Sequence, residues 1–449
     1  MPVSAARLAA YEILLRVERE GAYAADLLHS PRLARLSVAD KALATELVMG
    51  VLRWRARLDA ALAAACEPPL AKLDLEVLTA LRLGTYQLGY LERVPARAAV
   101  DESVELAKHA RKRSAAPLVN AVLRRLSGDR QRFHVERAAA GKEATSAAEL
   151  ADRDSHPTWL VERWAKDFGL SAAARICESD QRVPPTALRL AADVTDADLR
   201  REGVEVAPGA LLKRARRVVS GDITQSQAFA AGRVAIQDEA SQLVAALVGT
   251  GARLLDCCAA PGGKTAALAE RNPQARIVAA ELHPHRARTL RRRVPGRNVS
   301  VVVADALALP LDLQFDRVLA DVPCSGTGTL ARNPEIKWRL QPADLADLHR
   351  KQVAILRAAL DHVAPGGRLV YSTCSLELEE NAEVVEEALA GRDGFRLLDC
   401  RAELRKLQEA GELVWSEPES LTREGFLQTL PGVHPCDGFF AAVVERETP

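Results

Sequence analysis

The chain is 449 residues long, enough for two or three domains with ample cores. Hydrophobic residues make up 48% and aromatics only 4%, so Ala, Leu and Val must fill the interior. Formal net charge is +1, which neither suggests nor excludes a nucleic-acid partner; the local clustering of basic residues says more.

Met1 to Arg7 has no apolar core behind it, and no run reaches the roughly 18–20 apolar residues of a membrane span. A cytoplasmic protein with no membrane attachment is expected. Eight cysteines occur without a C-x-x-C pair or a Cys/His cluster, which argues against a metal and against a disulfide framework. The expected class is multidomain: an all-α bundle, a small α+β subdomain and an α/β Rossmann-like domain.

Residues 1–130 read as helices throughout. Ala6, Ala9, Ala10, Ile13, Leu14 and Val17 recur at helical spacing, as do Leu43, Leu47, Val51 and Leu58. Breaks fall at Pro31, Pro68-Pro69 and Pro95. Lys108, Arg111, Lys112, Arg113, Arg124, Arg125, Arg130 and Arg132 lie close together with little acid between them, either a solvated face or a phosphate-binding surface. Residues 131–155 read as a linker. Residues 156–233 read as a small α+β subdomain, with a second basic patch at Lys213 to Arg217.

From 234 to 449, strands and helices alternate, the pattern of a doubly wound sheet. Strands are expected at Arg253–Cys257, Arg276–Ala280, Val299–Val303, Phe315–Ala320, Gly367–Thr373 and Gly438–Val444. The first runs into Cys258-Ala259-Ala260-Pro261-Gly262-Gly263-Lys264, a glycine turn that lets a cofactor approach the backbone and meet helix N-terminal amides. Gly263-Lys264-Thr265 also ends a P-loop, but the glycine that motif requires is replaced by Cys258. Acids follow three further strands. Glu281 is placed for ribose hydroxyls, Asp305 for an adenine amine, and Asp321 opens the loop Asp321-Val-Pro-Cys-Ser-Gly-Thr-Gly328. S-adenosylmethionine fits this set better than NAD, because G-x-G-x-x-G is missing. A second strand-end thiol closes Tyr371-Ser-Thr-Cys374, so Cys324 and Cys374 are expected to share one pocket with Asp321.

These motifs, with Asn333-Pro-Glu335, resemble the RNA cytosine-5 methyltransferases of the Nol1/Nop2/Sun family. The front segments Asp40 to Val48, Gly50 to Arg53, Tyr86 to Leu88, Val94 to Ala96 and Val119 to Arg124 resemble the NusB-like RNA-binding domain. The resemblance implies S-adenosylmethionine-dependent methylation of cytosine C5 in small-subunit ribosomal RNA. It makes Cys374 the nucleophile toward C6 and Cys324 the group that assists product release. Asp321 would hold the base edge, and Lys264 would orient that carboxylate or lower a thiol pKa. Cys258 to Lys264, Glu281, Asp305 and Asp321 would hold the cofactor. A monomer without metal is expected. Three other readings stay open: a DNA cytosine-5 methyltransferase, whose nucleophile is the Pro-Cys thiol, a P-loop NTPase, and a non-enzymatic RNA-binding or antitermination protein.

Overall fold

The computed structural model describes residues 3–30, 33, 35–128, 144–294, 296 and 298–448. Arg130, Arg132 and most of the stretch read as a linker lie outside them. The chain divides into two compact units, Met1–Val183 with Leu330–Arg339, and Pro184–Thr329 with Leu340–Pro449.

The first unit is helical. Its longer helices are Ala5–Glu20, Val38–Arg53, Arg55–Ala65, Leu75–Tyr90, Ala96–His109 and Ala116–Ser127. Leu47, Leu58, Leu83 and Leu106 are fully buried in one core, and Leu62, Leu81, Val119 and Leu123 in another. Gly50 lets Tyr86 lie against its helix, because a Cβ there would overlap the phenol ring at 2.0 Å.

Three further helices, Ala147–Arg153, Thr158–Phe168 and Leu170–Asp180, also belong to this unit. The boundary expected at 156 is therefore displaced: the apolar stripe Leu160, Val161 and Trp164 is buried with the helices rather than with the small sheet. The segment Leu330–Arg339 is likewise part of the helical unit. Glu335 accepts the Ala24 amide at 2.9 Å, at the start of helix Ala24–Leu28. Lys337 donates to the carbonyls of Arg53, 3.0 Å, and Ser155, 2.9 Å, so its ammonium satisfies the C-terminal end of helix Val38–Arg53. Burial pushes that ammonium down to about 7, with Asp180 opposing.

The second unit holds two sheets. β1 (Ala187–Leu190), β2 (Glu205–Pro208), β3 (Ala215–Ser220) and β4 (Val234–Ile236) form a small antiparallel sheet in the order β2-β3-β1-β4. β4 therefore closes the small sheet instead of opening the α/β domain. The large sheet comprises β5 (Arg253–Asp256), β6 (Arg276–Glu281), β7 (Val299–Val303), β8 (Phe315–Asp321), β9 (Val363–Thr373), β10 (Phe395–Leu398), β11 (Thr422–Arg423), β12 (Phe426–Thr429) and β13 (Phe439–Arg446). Its order is β11-β12-β13-β9-β8-β5-β6-β7, with β10 on β13. β5 to β9 pair in parallel, whereas β10 to β13 pair antiparallel; of these four, β13 matches the strand expected at Gly438–Val444, and β10 to β12 were not expected. The chain winds outward from β5 to β7 and returns to place β8 beside β5. That reversal is the topological switch point, where open α/β sheets bind ligands. Among the described residues no helix is long and apolar enough to cross a membrane.

Candidate active site

β5 carries Leu254 and Leu255 into the core and ends on Asp256. Beyond it the backbone stays paired on both sides: Cys257 N–H donates to Leu319 O and Ala259 N–H to Ala280 O, each at 2.9 Å. After Pro261 the chain turns at Gly262, whose φ of +107° is open to glycine and strained for other residues. A Cβ on Gly262 would meet Leu290 at 2.9 Å and Val294 at 3.1 Å. Helix Gly263–Arg271 starts there, and a Cβ on Gly263 would make only ordinary contact, 3.5 Å, with Gln237. Gly262 is thus fixed by conformation and packing, not by open space for a ligand.

Asp256 was not among the expected site residues. It is buried, its Oδ2 accepts the Thr265 hydroxyl at 2.7 Å, and its Oδ1 has no hydrogen-bond partner among the described residues. Burial pushes its carboxyl up to about 7 against the Thr265 hydrogen bond, with the Asp321 charge adding to the rise. Glu281 ends β6 almost fully buried. Its Oε1 accepts the His283 amide at 2.9 Å, and its Oε2 has no hydrogen-bond partner among the described residues. Asp305 is exposed and caps its own turn through the Leu307 amide, 3.0 Å. A glycine turn, a helix N-terminus and a carboxylate oxygen left for ribose hydroxyls fit a nucleoside-bearing cofactor such as S-adenosylmethionine. Cys258 is different: burial pushes its thiol up, so it contributes backbone rather than a reactive sulfur.

At the other side of the switch point the groups are tightly paired. Asp321 stands opposite Ser372 in the β8–β9 register, and Ser372 Oγ donates to Asp321 Oδ1 at 2.7 Å. Lys264 Nζ donates to Asp321 Oδ2 at 2.8 Å and lies 4.9 Å from the Phe439 ring centroid. Burial alone would weaken the hold of Lys264 on its proton. The Asp321 charge and hydrogen bond outweigh it and raise the pKa, with Cys374 contributing in the same direction.

The two thiols meet. Cys324 Sγ lies 3.4 Å from Cys374 Sγ, and Gly328 N–H donates to Cys374 O at 2.9 Å, joining the two loops. The pKa of Cys324 is raised well above the usual thiol range, first by its hydrogen bond to Cys374 and then by burial. It therefore keeps its proton. Ser325, Ser375, Gln352 and Glu380 surround this pair; the two serines stand in the quoted motifs without an assigned role, and Gln352 and Glu380 were missed by sequence reasoning. Glu377 and Glu380 are in fact fully buried. Cys66, Cys177, Cys257 and Cys400 are buried, as packing residues are.

Residues 247–445 match the family described as 16S rRNA methyltransferase RsmB/F, and residues 4–128 match the NusB family. The chain is 33% identical over 455 residues to ribosomal RNA small subunit methyltransferase B of Xanthomonas campestris, covering 98% of this chain and 97% of that one. The chain belongs to the RsmB/F methyltransferase family. Its similarity to ribosomal RNA small subunit methyltransferase B of Vibrio cholerae is also 33%, over 91% of this chain and 90% of that one. Among solved structures, PH0851 shares the fold of this RsmB/F chain at a TM-score of 0.79, 21% identity, and 99% and 100% coverage. A methyltransferase homolog from Pyrococcus horikoshii matches at 0.55 and 27% identity, covering 68% of this chain and 99% of that one.

Of the two basic patches, the first is the more available. Lys108 pairs with Glu105 and Lys112 with Asp74, leaving Arg111, Arg113, Arg124 and Arg125 exposed with no ion-pair partner among the described residues. In the second, Arg216 pairs with Asp196, and Arg214 and Arg217 donate to the Leu190 and Pro208 carbonyls, so these guanidiniums are tied to their own sheet. Among the described residues no group of three His, Cys, Asp or Glu side chains is placed to hold a metal.

Proposed function

We propose that this enzyme methylates C5 of a cytosine in small-subunit ribosomal RNA through a covalent Cys374–C6 adduct. The observation that carries the reading is the 3.4 Å approach of Cys324 and Cys374 beside the Lys264–Asp321 pair. S-adenosylmethionine, when bound, supplies the methyl group. The turn Cys258 to Lys264 and the carboxylates of Glu281, Asp305 and Asp321 would hold it.

C5 of cytosine is a poor nucleophile. Cys374 forms the S–C6 bond and gives up its thiol proton, the C5=C6 electron pair shifts through C4 to N3, and N3 takes up that proton at the base edge held by Asp321. C5 is then enamine-like and takes the methyl group. Loss of the C5 proton and cleavage of S–C6 restore the double bond, with Cys324 assisting that release, and N3 gives its proton back. The net change at C5 is CH3+ for H+, the C5 proton passing to solvent and the N3 proton returning to the Cys374 sulfur. The Thr373-Cys374 pair, in addition to the Pro323-Cys324 pair, favours this division of labour over the DNA-type one.

Thiol, carboxylate and ammonium supply every charge the cycle asks for, so it needs no metal. One chain carries all these groups, consistent with a monomer, and ribosomal RNA is met in the cytoplasm. Arg111, Arg113, Arg124 and Arg125 are the phosphate-binding candidates of the NusB-like domain.

Bisulfite sequencing of ribosomal RNA tests the reading. Cells lacking the protein should lose protection at one small-subunit cytosine, and purified enzyme should restore it. Unchanged protection everywhere sinks the assignment.

A further inference from the structure

Each catalytic-loop cysteine is followed by a serine, Ser325 after Cys324 and Ser375 after Cys374. Both serines converge on one carboxylate. Glu380 Oε1 accepts the Ser325 amide at 2.8 Å and Gln352 Nε2 at 2.9 Å. Glu380 Oε2 accepts the hydroxyls of Ser325 and Ser375, which are themselves 3.0 Å apart. Gln352 also donates to Pro323 O at 2.9 Å, on the residue before Cys324. The carboxylate is fully buried, and four donors compensate its lost hydration. Its own backbone is pinned as well, since Tyr371 Oη donates to Glu380 O at 2.6 Å. Asn381, the next residue, donates to Ser375 O at 2.9 Å and accepts from the Thr373 hydroxyl.

Building on the covalent mechanism above, we infer that Glu380 is a positioning residue that clamps the Cys324 loop to the Cys374 loop. Its grip lies one residue from each sulfur. The loops leave two different strands, β8 and β9, and beyond those strands the sheet ladder no longer fixes their separation. A cycle that adds one thiol to C6 and releases it with help from the other requires that separation to persist through two different substrate states. A buried anion with donors from both loops supplies such a constraint, whereas a hydrophobic contact would fix no direction. The nearby charge also helps Cys324 retain its proton.

The test uses full-length protein and two readouts. Phenylarsine oxide bonds two neighbouring thiols at once, and its binding to RNA-free enzyme reports their proximity. Wild type should bind it, and Cys324→Ala should not. Glu380→Ala should weaken binding by about tenfold or more. Glu380→Gln should retain it within a few-fold, because the amide oxygen still accepts from Ser325 N–H and Gln352 while its NH2 donates to the two hydroxyls. The second readout is turnover on ribosomal RNA: Glu380→Ala should lose kcat with KM for RNA unchanged, and Glu380→Gln should recover most of it. If Glu380→Ala fails to fold, Ser325→Ala/Ser375→Ala decides, since it cuts both hydroxyl links and leaves the carboxylate its amide partners. Wild-type arsenical affinity in folded Glu380→Ala, or in the double serine variant, overturns the clamp. A wild-type enzyme that binds the arsenical but methylates no RNA overturns the proposed function and leaves the clamp standing.

Discussion

The two sides of the switch point are built differently. On the β5–β7 side, Gly262 bends the backbone, Glu281 keeps an oxygen without a hydrogen-bond partner among the described residues, and Asp305 caps its own turn. On the β8–β9 side, Asp321 has both oxygens occupied, Cys324 touches Cys374, and Glu380 gathers four donors. The difference follows from who provides the partners. A cofactor brings its own hydroxyls and amine, so its side is left with open valences. Bond-making groups must be oriented before the substrate arrives, and their reorganisation would otherwise fall within the barrier.

The largest expected effects lie with the thiols. Cys374→Ala should abolish turnover, because no enamine forms without addition at C6, and no covalent complex should appear. Cys324→Ala should lower turnover by about 10²–10⁴-fold while still allowing addition and methyl transfer. A denaturation-resistant protein–RNA species should accumulate in that variant alone, read on a denaturing gel with both single variants and the double. Trapping by Cys374→Ala instead would reverse the roles and favour the DNA-type mechanism. Next comes Asp321→Asn, which keeps the shape but loses the charge that balances Lys264. It should reduce kcat by about 10²–10³-fold and, in a Cys324→Ala background, suppress the trapped species. Undiminished trapping there would mean that the tight pairing around Asp321 serves folding only.

The contrast between the two sides also explains what the sequence revealed. The cysteines, Asp321, Lys264 and the glycine turn stand at strand ends beside local punctuation, so a reader of the chain meets them in recognisable motifs. Asp256 lies within the run Arg253–Cys257 expected as a strand, and only the folded sheet shows that β5 ends on it and that it is buried beside Thr265. Glu380 sits in an acidic run whose burial depends on β8 and β9 lying side by side, a long-range fact with no local periodicity. The helices at 147–180 mislead for a related reason: their apolar stripes announce a partner without saying which. The antiparallel strands β10 to β13 were hard to place because their order depends on crossovers, although β13 itself is a plain apolar run.

On the cofactor side the effects should be smaller and should separate by position. Gly262→Ala forces a Cβ into Leu290 and a side chain into the left-handed region, and should cost about 1–3 kcal/mol of stability. Gly263→Ala should stay within about 0.5 kcal/mol. Thermal melting of the two variants, followed by calorimetry with S-adenosylmethionine, checks this. Equal stabilities would show that the turn tolerates a side chain and that its glycines serve ligand access after all.

A pH-dependent effect is expected at Asp256, the buried acid between the two sides. Its folded pKa is raised to about 7 from an ordinary value near 4, so the folded protein binds the extra proton within that window. The stability this contributes is complete below the unfolded pKa and is lost as pH rises through about 7. Thr265, the Cys258 amide and Lys264 favour the charged form, while burial and Asp321 oppose it, and burial is the largest of these. Asp256→Asn keeps an acceptor for the Thr265 hydroxyl and cannot ionise. The variant should therefore gain stability on the wild type as pH is raised from 6 to 8, with the difference in melting temperature growing across that range. A constant difference would mean that Asp256 ionises near its ordinary pKa. The low polarity assigned to the end of β5 would then be wrong, and the open side of the switch point would reach further into the sheet than its hydrogen bonds indicate.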